Sequence, residues 1–127
     1  MSVKKIALTG ASGFVGSYVL SELVKLPSVE ITAVTRDSSR LKNWLGKIEV
    51  VQIDVANATT DCYECLGCPD ILIHLAWDGL PNYLSLHHFE TELPRQYSFL
   101  KNMLDALALN GPLSQCVFRV KILVIQI

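Results

Sequence analysis

The sequence predicts an α/β protein, a doubly wound parallel sheet built from alternating short strands and helices. Three observations predict it. Short apolar runs alternate along the chain with segments whose apolar residues recur at helical intervals. The connections between most of them are short, so successive strands run parallel with helices on both faces. The run "DILIHLA" (70–76) is near-continuously apolar, as in a strand covered on both sides.

Taken in order, "KIALTG" is the first strand, ending in Gly10. "FVGSYVLSELVKL" follows as a helix with Val15, Val19, Leu20, Leu23 and Val24 on one face, and Pro27 stops it. "EITAVT" is the second strand, and "SSRLKNWL" a short helix with Ser38 or Ser39 available as its cap. "IEVVQIDV" is the third strand and "ATTDCYECL" a third short helix, closed by a turn at Gly67-Cys68-Pro69. "DILIHLA" is the fourth strand, followed by the long connection "WDGLPNYLSLHHFETEL". "PRQYSFLKNMLDALALNG" is a helix with Pro94 near its start and Gly111 just past its end. A fifth strand begins near Gln115 or Cys116.

At 127 residues, half of them apolar and 18% charged, the chain makes one globular domain with a single core. There is no internal repeat, low-complexity tract or linker. Eleven basic and twelve acidic residues give a net charge of −1 without a basic block, which leaves nucleic acid and anionic membrane no electrostatic footprint. The opening "MSVKKIALTG" is not a signal peptide, and the C-terminal "CVFRVKILVIQI" is too short to span a bilayer. A soluble cytoplasmic protein is expected. Cys62, Cys65 and Cys68 stand at metal-site intervals, but Cys116 is far away and no histidine is close in sequence. No metal site is expected; the first two cysteines fall in the short helix and the third in its loop, as small buried thiols.

The first strand runs directly into "TGASGFVG". Gly10 permits the tight turn, Gly13 lets a pyrophosphate approach the backbone, and Gly16 lets the helix pack close to the strand. The helix N-terminus at Phe14 and Val15 offers free N–H groups and the positive end of its dipole, and Ser12 adds a hydroxyl donor. Glycines can also serve a turn alone, but here they follow a strand and open an amphipathic helix, the context of a Rossmann-like dinucleotide site.

With these residues the chain resembles the extended short-chain dehydrogenase/reductase family: the nucleotide-sugar epimerases, dehydratases and 4-keto reductases. The resemblance rests on "TGASGFVG", the Arg36 region, "IDV" closing the third strand and "HLA" closing the fourth, and covers about residues 3–118. It implies that Asp54 hydrogen-bonds an adenine with the Val55 backbone beside it. It implies also that Leu75, Ala76 and Trp77 line the passage to a nicotinamide ribose. Trp77 departs from the family, which has a small residue there. His74 reads as a packed core histidine rather than an acid or base.

The second strand ends in "AVTRDSSR". An acidic residue there suits the ribose 2′-hydroxyl of NAD, and an arginine the 2′-phosphate of NADP. Arg36 is placed for a phosphate and Arg40 reaches from the next turn, while Asp37 stands one residue on. NADP(H) is favoured over NAD(H).

Tyr97 and Lys101 have the Tyr-x-x-x-Lys spacing with which the family activates a phenol for proton transfer. In the family that pair follows the fifth strand; Tyr97 precedes it. Tyr97, Leu100, Leu104 and Leu107 also form one apolar stripe at helical spacing, which is packing behaviour. No tyrosine follows residue 97, and the tail "FRVKILVIQI" departs from the family. No catalytic pair is therefore assigned.

The resemblance then implies an incomplete sheet of order 3-2-1-4-5, spanning 1–127 and lacking a sixth strand and the C-terminal substrate domain. Truncation, or a change of reading frame after about Phe118, accounts for it, and an open edge favours self-association into a homo-oligomer. The expected function is an NADP(H)-binding domain of a nucleotide-sugar oxidoreductase or epimerase, catalytically impaired, whose intact parent would take a nucleotide sugar in deoxysugar or surface-polysaccharide synthesis. The alternatives are a non-catalytic NADP-binding or protein-interaction module, and residual oxidoreductase activity through Tyr97 and Lys101.

Overall fold

A computed structural model describes residues 3–110, apart from 45, 58–59, 77–85 and 87. Strand β1 (Lys4–Thr9) leads into helix α1 (Phe14–Leu23), then β2 (Val29–Thr35), β3 (Glu49–Gln52), helix α2 (Cys62–Cys65) and β4 (Ile71–His74). A π-helical turn (His88–Glu92) opens the long helix α3 (Leu93–Asn110), with Pro94 in the first turn, where its missing N–H costs nothing. The four strands form one parallel sheet in the order β3-β2-β1-β4. That is the expected order as far as β4; the fifth strand, the tail and Trp77 lie outside the described residues.

The sheet buries both faces, which is why its strands read as continuous apolar runs rather than alternations. On one face Ile6 and Leu8 of β1 and Ile31 and Ala33 of β2 meet Leu20 and Leu23 of α1 and Leu41. On the other, Ala7, Val34 and Leu72 meet Cys62 and Tyr63 of α2 and Phe99, Met103 and Ala106 of α3. The period-2 strand and the 3.6-residue helix thus supply one core each side of the sheet.

Several sequence expectations are corrected. The segment after β2 is a 3-10 helix, Ser38–Trp44, kinked at Leu41 (φ −109°). Its cap is neither Ser38 nor Ser39 but Asp37, whose Oδ1 accepts from the Ser39 amide at 3.0 Å and hydroxyl at 2.6 Å. The carboxylate offers acceptors without a competing proton. The third strand ends at Gln52, although the Ile53 amide still donates to the Thr35 carbonyl at 2.9 Å. Val55 then begins a 3-10 turn and points into the core. Among the described cysteines Cys62 is buried and Cys65 and Cys68 are exposed; Cys65 ends the single-turn helix and Cys68 lies in the loop after it.

The α3 stripe is also displaced. Tyr97 is 64% exposed and Leu104 exposed, Leu100 packs half-buried against the core, and the Leu107 side chain lies outside the described residues, while the buried face runs Glu92, Gln96, Phe99, Met103, Ala106. Both series have helical spacing, and the one carrying Phe99 meets the sheet. Phe99→Ala should therefore cost about 3–5 kcal/mol and Tyr97→Ala no more than about 0.5 kcal/mol in urea unfolding. Equal costs would mean that α3 lies on its other face.

Candidate functional site

In a parallel sheet every strand points the same way, so the loops after the strands gather at one edge. Here the register aligns Thr9 of β1 with Val34 of β2 and His74 of β4. Gly10, Arg36, Asp54, Leu75 and Ala76 therefore all emerge just beyond the carboxyl ends of the strands. The chain winds outward from β1 through β2 to β3, then crosses back to place β4 on the other side. In such sheets that reversal marks the usual ligand position, in the crevice outside the carboxyl ends of the two strands where the order turns, here β1 and β4.

The three glycines of the first turn have different duties. Gly10 has φ +68°, and a Cβ on it would stand 2.9 Å from the Ala76 nitrogen and the Leu75 carbonyl carbon. A Cβ on Gly16 would stand 2.0 Å from the Gly10 carbonyl oxygen. Both lack side chains because protein backbone occupies the space. Gly13 is exposed, and its Cβ would meet only the Gly10 carbonyl oxygen, at 3.3 Å. Its small size keeps a surface open above the N-terminus of α1. No side chain caps α1 at Gly13, and no acidic residue stands in its first turn, so the N–H groups of Phe14, Val15 and Gly16 and the helix dipole face that surface. Phe14, itself exposed, packs edge-on against Tyr18 at 5.4 Å between ring centroids.

Ser12 does not present its proton to this surface. Thr35 accepts from the Asp37 amide at 3.1 Å and donates to the Asp37 carbonyl at 3.2 Å. The Ser12 hydroxyl, 3.0 Å from Thr35 Oγ1, is then the donor of that pair and ties the glycine turn to the end of β2. Arg36 and Arg40 are exposed, and Arg40 Nε lies 4.0 Å from Asp37 Oδ2. The Ser39 hydroxyl and amide, with the Arg40 charge a smaller influence, hold the Asp37 carboxyl below its ordinary range. Asp54 is half-buried at the end of the third strand and accepts from Asn57 Nδ2 at 3.2 Å.

The sequence reading assigned no function to Thr9, Gln96 or Glu92, which extend the site below the turn. The Thr9 hydroxyl accepts from the Leu75 and Ala76 amides at 3.1 and 3.3 Å and lies 2.6 Å from His74 Nδ1. His74 Nε2 bonds Gln96 Oε1, and Gln96 Nε2 donates to Glu92 Oε1 at 2.5 Å. All four side chains are buried. Following the Phe99–Met103–Ala106 stripe back by fours and threes leads to Gln96 and Glu92, a signal present in the sequence. Tyr97 and Lys101 stand on the exposed side of α3 instead, where Lys101 Nζ pairs with Asp105 at 2.9 Å.

Burial pushes the His74 pKa below its ordinary 6.5, against smaller opposing effects of the Gln96 hydrogen bond and the Glu92 charge. The unfolded chain therefore takes up a proton near pH 6.5 that the folded chain refuses. Stability is full above 6.5 and falls as pH drops from there toward the folded pKa. The urea midpoint should fall between pH 7.5 and pH 5.5, and fall less in His74→Asn; a midpoint that rises on acidification would contradict this.

Among the described residues, no group of three or more His, Cys, Asp or Glu side chains is placed to hold a metal ion, and no helix is long and apolar enough to cross a membrane. Residues 6–91 match the model of the NAD dependent epimerase/dehydratase family. A curated relative, the dTDP-6-deoxy-L-talose 4-dehydrogenase (NAD(+)) of Aggregatibacter actinomycetemcomitans, is 27% identical over 101 residues, 79% of this chain and 37% of its own length. The fold is shared with UDP-glucuronic acid 4-epimerase from Bacillus cereus, solved with UDP-glucuronic acid and NAD. There the TM-score is 0.62 at 18% identity, over 81% of this chain and 36% of that one. It is shared too with a short chain dehydrogenase from Burkholderia cenocepacia in complex with NADP, at TM-score 0.64 and 18% identity, over 85% and 48%. The chain thus spans less than half the length of these relatives. The glycine turn at the sheet's switch point and the family match over residues 6–91 agree, and the chain belongs to the NAD dependent epimerase/dehydratase family.

Proposed function

We propose that this chain binds a nicotinamide dinucleotide in the crevice between β1 and β4, as the cofactor-holding half of a nucleotide-sugar oxidoreductase or epimerase. The observation that carries the reading is the open Gly13 surface. Two glycines of the turn are enforced by protein backbone, and the third faces uncapped N–H groups where a pyrophosphate fits. The dinucleotide supplies the hydride chemistry when bound. The chain's own residues bind and orient it. The amides of Phe14, Val15 and Gly16 take the pyrophosphate, Asp54 and the Val55 backbone the adenine end, and Leu75 and Ala76 line the approach to the nicotinamide ribose. Ser12 braces the turn.

Within that reading the dinucleotide is NADP(H). Asp37 is turned toward Ser39 and lies near Arg40, which favours a phosphate rather than a bare 2′-hydroxyl beside Arg36 and Arg40. Tyr97 and Lys101 serve the exposed face of α3 and no proton transfer. The substrate class, a nucleotide sugar, rests on the relatives, and the protein works in the cytoplasm.

Calorimetric titration with NADP(H) and NAD(H) tests both levels. Gly13→Glu should weaken either cofactor at least about tenfold, about 1.4 kcal/mol, by filling the phosphate surface with a like charge, while the thermal midpoint stays close to wild type. Arg36→Ala should weaken NADP(H) by about tenfold and leave NAD(H) unchanged. Absence of binding by wild type would end the proposal; equal losses for both cofactors in Arg36→Ala would end the NADP(H) preference alone.

A further inference from the structure

The buried polar row beneath the turn does more than fill the core. A threonine hydroxyl has one proton and two lone pairs. At Thr9 both lone pairs are taken by the Leu75 and Ala76 amides, so the proton is directed to His74 Nδ1. His74 must then be neutral with its proton on Nε2, where it donates to Gln96 Oε1. The Gln96 amide group is oriented in turn by donation to Glu92 Oε1. The Leu75 amide is shared between the Thr9 hydroxyl and the Thr9 carbonyl, at 3.1 and 3.3 Å, and with both amides donating to it the hydroxyl sets the direction of the bonds that follow.

We propose that His74 and Gln96 are positioning residues for the dinucleotide. By fixing the Thr9 hydroxyl as a double acceptor, they hold the Leu75 and Ala76 amides against Gly10 and so set the width of the crevice. The dinucleotide part of the proposal rests on the function proposed above; the clamp itself does not. The clearance explains why the clamp matters. The Gly10 turn and the Leu75–Ala76 backbone are so close that a single Cβ would stand 2.9 Å from the Ala76 nitrogen, so a small drift of 75–76 changes the floor of the site. Gln96 reaches this floor from the face of the sheet that α3 covers, through its bond to His74 at the end of β4, and holds Glu92 beside it. The ring of Phe99, 5.2 Å from that of His74 between centroids, completes the seat. Among the described residues Glu92 is the charged group whose field reaches His74; Thr9 of β1 and Gln96 and Phe99 of α3 are uncharged.

A wild-type readout and three variants test the clamp. Long-range proton–nitrogen NMR spectra of the wild type at pH 7 should show His74 neutral and protonated on Nε2. In Thr9→Val, hydrogen exchange at the Ala76 amide should accelerate at least about tenfold more than at Ile31 and Val34, and at Leu75, which keeps the Thr9 carbonyl as acceptor, by less. NADP(H) affinity should fall about tenfold in the same variant, the worth of one to two such bonds. Thr9→Ser, which keeps the hydroxyl, should restore both. Gln96→Leu should release the same two amides without touching Thr9, which keeps the test available if Thr9→Val does not fold. An Nδ1-protonated or doubly protonated ring in the wild type, or exchange that accelerates uniformly across the sheet, would overturn the clamp. The expected tautomer and exchange in a protein that binds neither NADP(H) nor NAD(H) would overturn the dinucleotide reading and leave the clamp standing.

Discussion

Three stretches of backbone meet around Gly10 at distances that exclude any side chain. The first turn of α1 closes on the Gly10 carbonyl from one side, where a Cβ on Gly16 would lie 2.0 Å away, and the segment after β4 closes on the Gly10 Cα from another. The rest of the architecture depends on that convergence. It seats α1 on β1 close enough for Leu20 and Leu23 to enter the core, and it sets β4 against β1 rather than against β2. It also leaves the helix N-terminus uncapped by protein, with its dipole and free amides directed over the crevice. The fold and the binding surface are two consequences of one close approach.

The second organising feature is the uneven composition of α3's buried face. Along the sheet that face is apolar, with Phe99, Met103 and Ala106 on Ala7, Val34 and Leu72. At the carboxyl edge it turns polar, with Gln96 and Glu92 buried as deeply as the apolar residues. Buried polar groups cost free energy unless satisfied, and the Thr9–His74–Gln96–Glu92 row supplies the partners. The helix therefore contributes packing at one end and directed hydrogen bonds at the other. Cooperative rows of this kind define one arrangement of their members more sharply than apolar contacts do, which suits a position directly beneath a ligand surface.

Much of this was legible in the residues. The family resemblance implied the strand order through β4, while the glycine spacing after the first strand, the apolar run of β4 and the alternation of elements led to a parallel sheet and to Gly10, Gly13 and Gly16 as the turn. Each is a local property, a conformational demand or a repeat within one segment. What the residues did not disclose were relations between segments. Tyr97 and Phe99 both head helically spaced series, and only the sheet decides which series is buried. Asp37, rather than a serine, caps the next turn because β2 ends with its own hydroxyl already directed at the Asp37 backbone. Cys65 and Cys68 look like Cys62 in sequence, yet the end of a one-turn helix and the loop after it leave them exposed.

The sequence by itself determined the class of fold and the strand-turn-helix that opens it, because glycine's missing side chain and the periods of helix and strand are encoded residue by residue; the family came from the likeness of four motifs. Tertiary structure alone decided that Gly10 and Gly16 are held small by neighbouring backbone while Gly13 leaves a surface open. It alone joined Thr9 to His74, 65 positions apart, and His74 to Gln96, 22 apart. The physical reason is the range of the interactions: periodicity and turn preference act over a few residues, whereas a hydrogen bond's partner is chosen by the packing that brings distant strands and helices together.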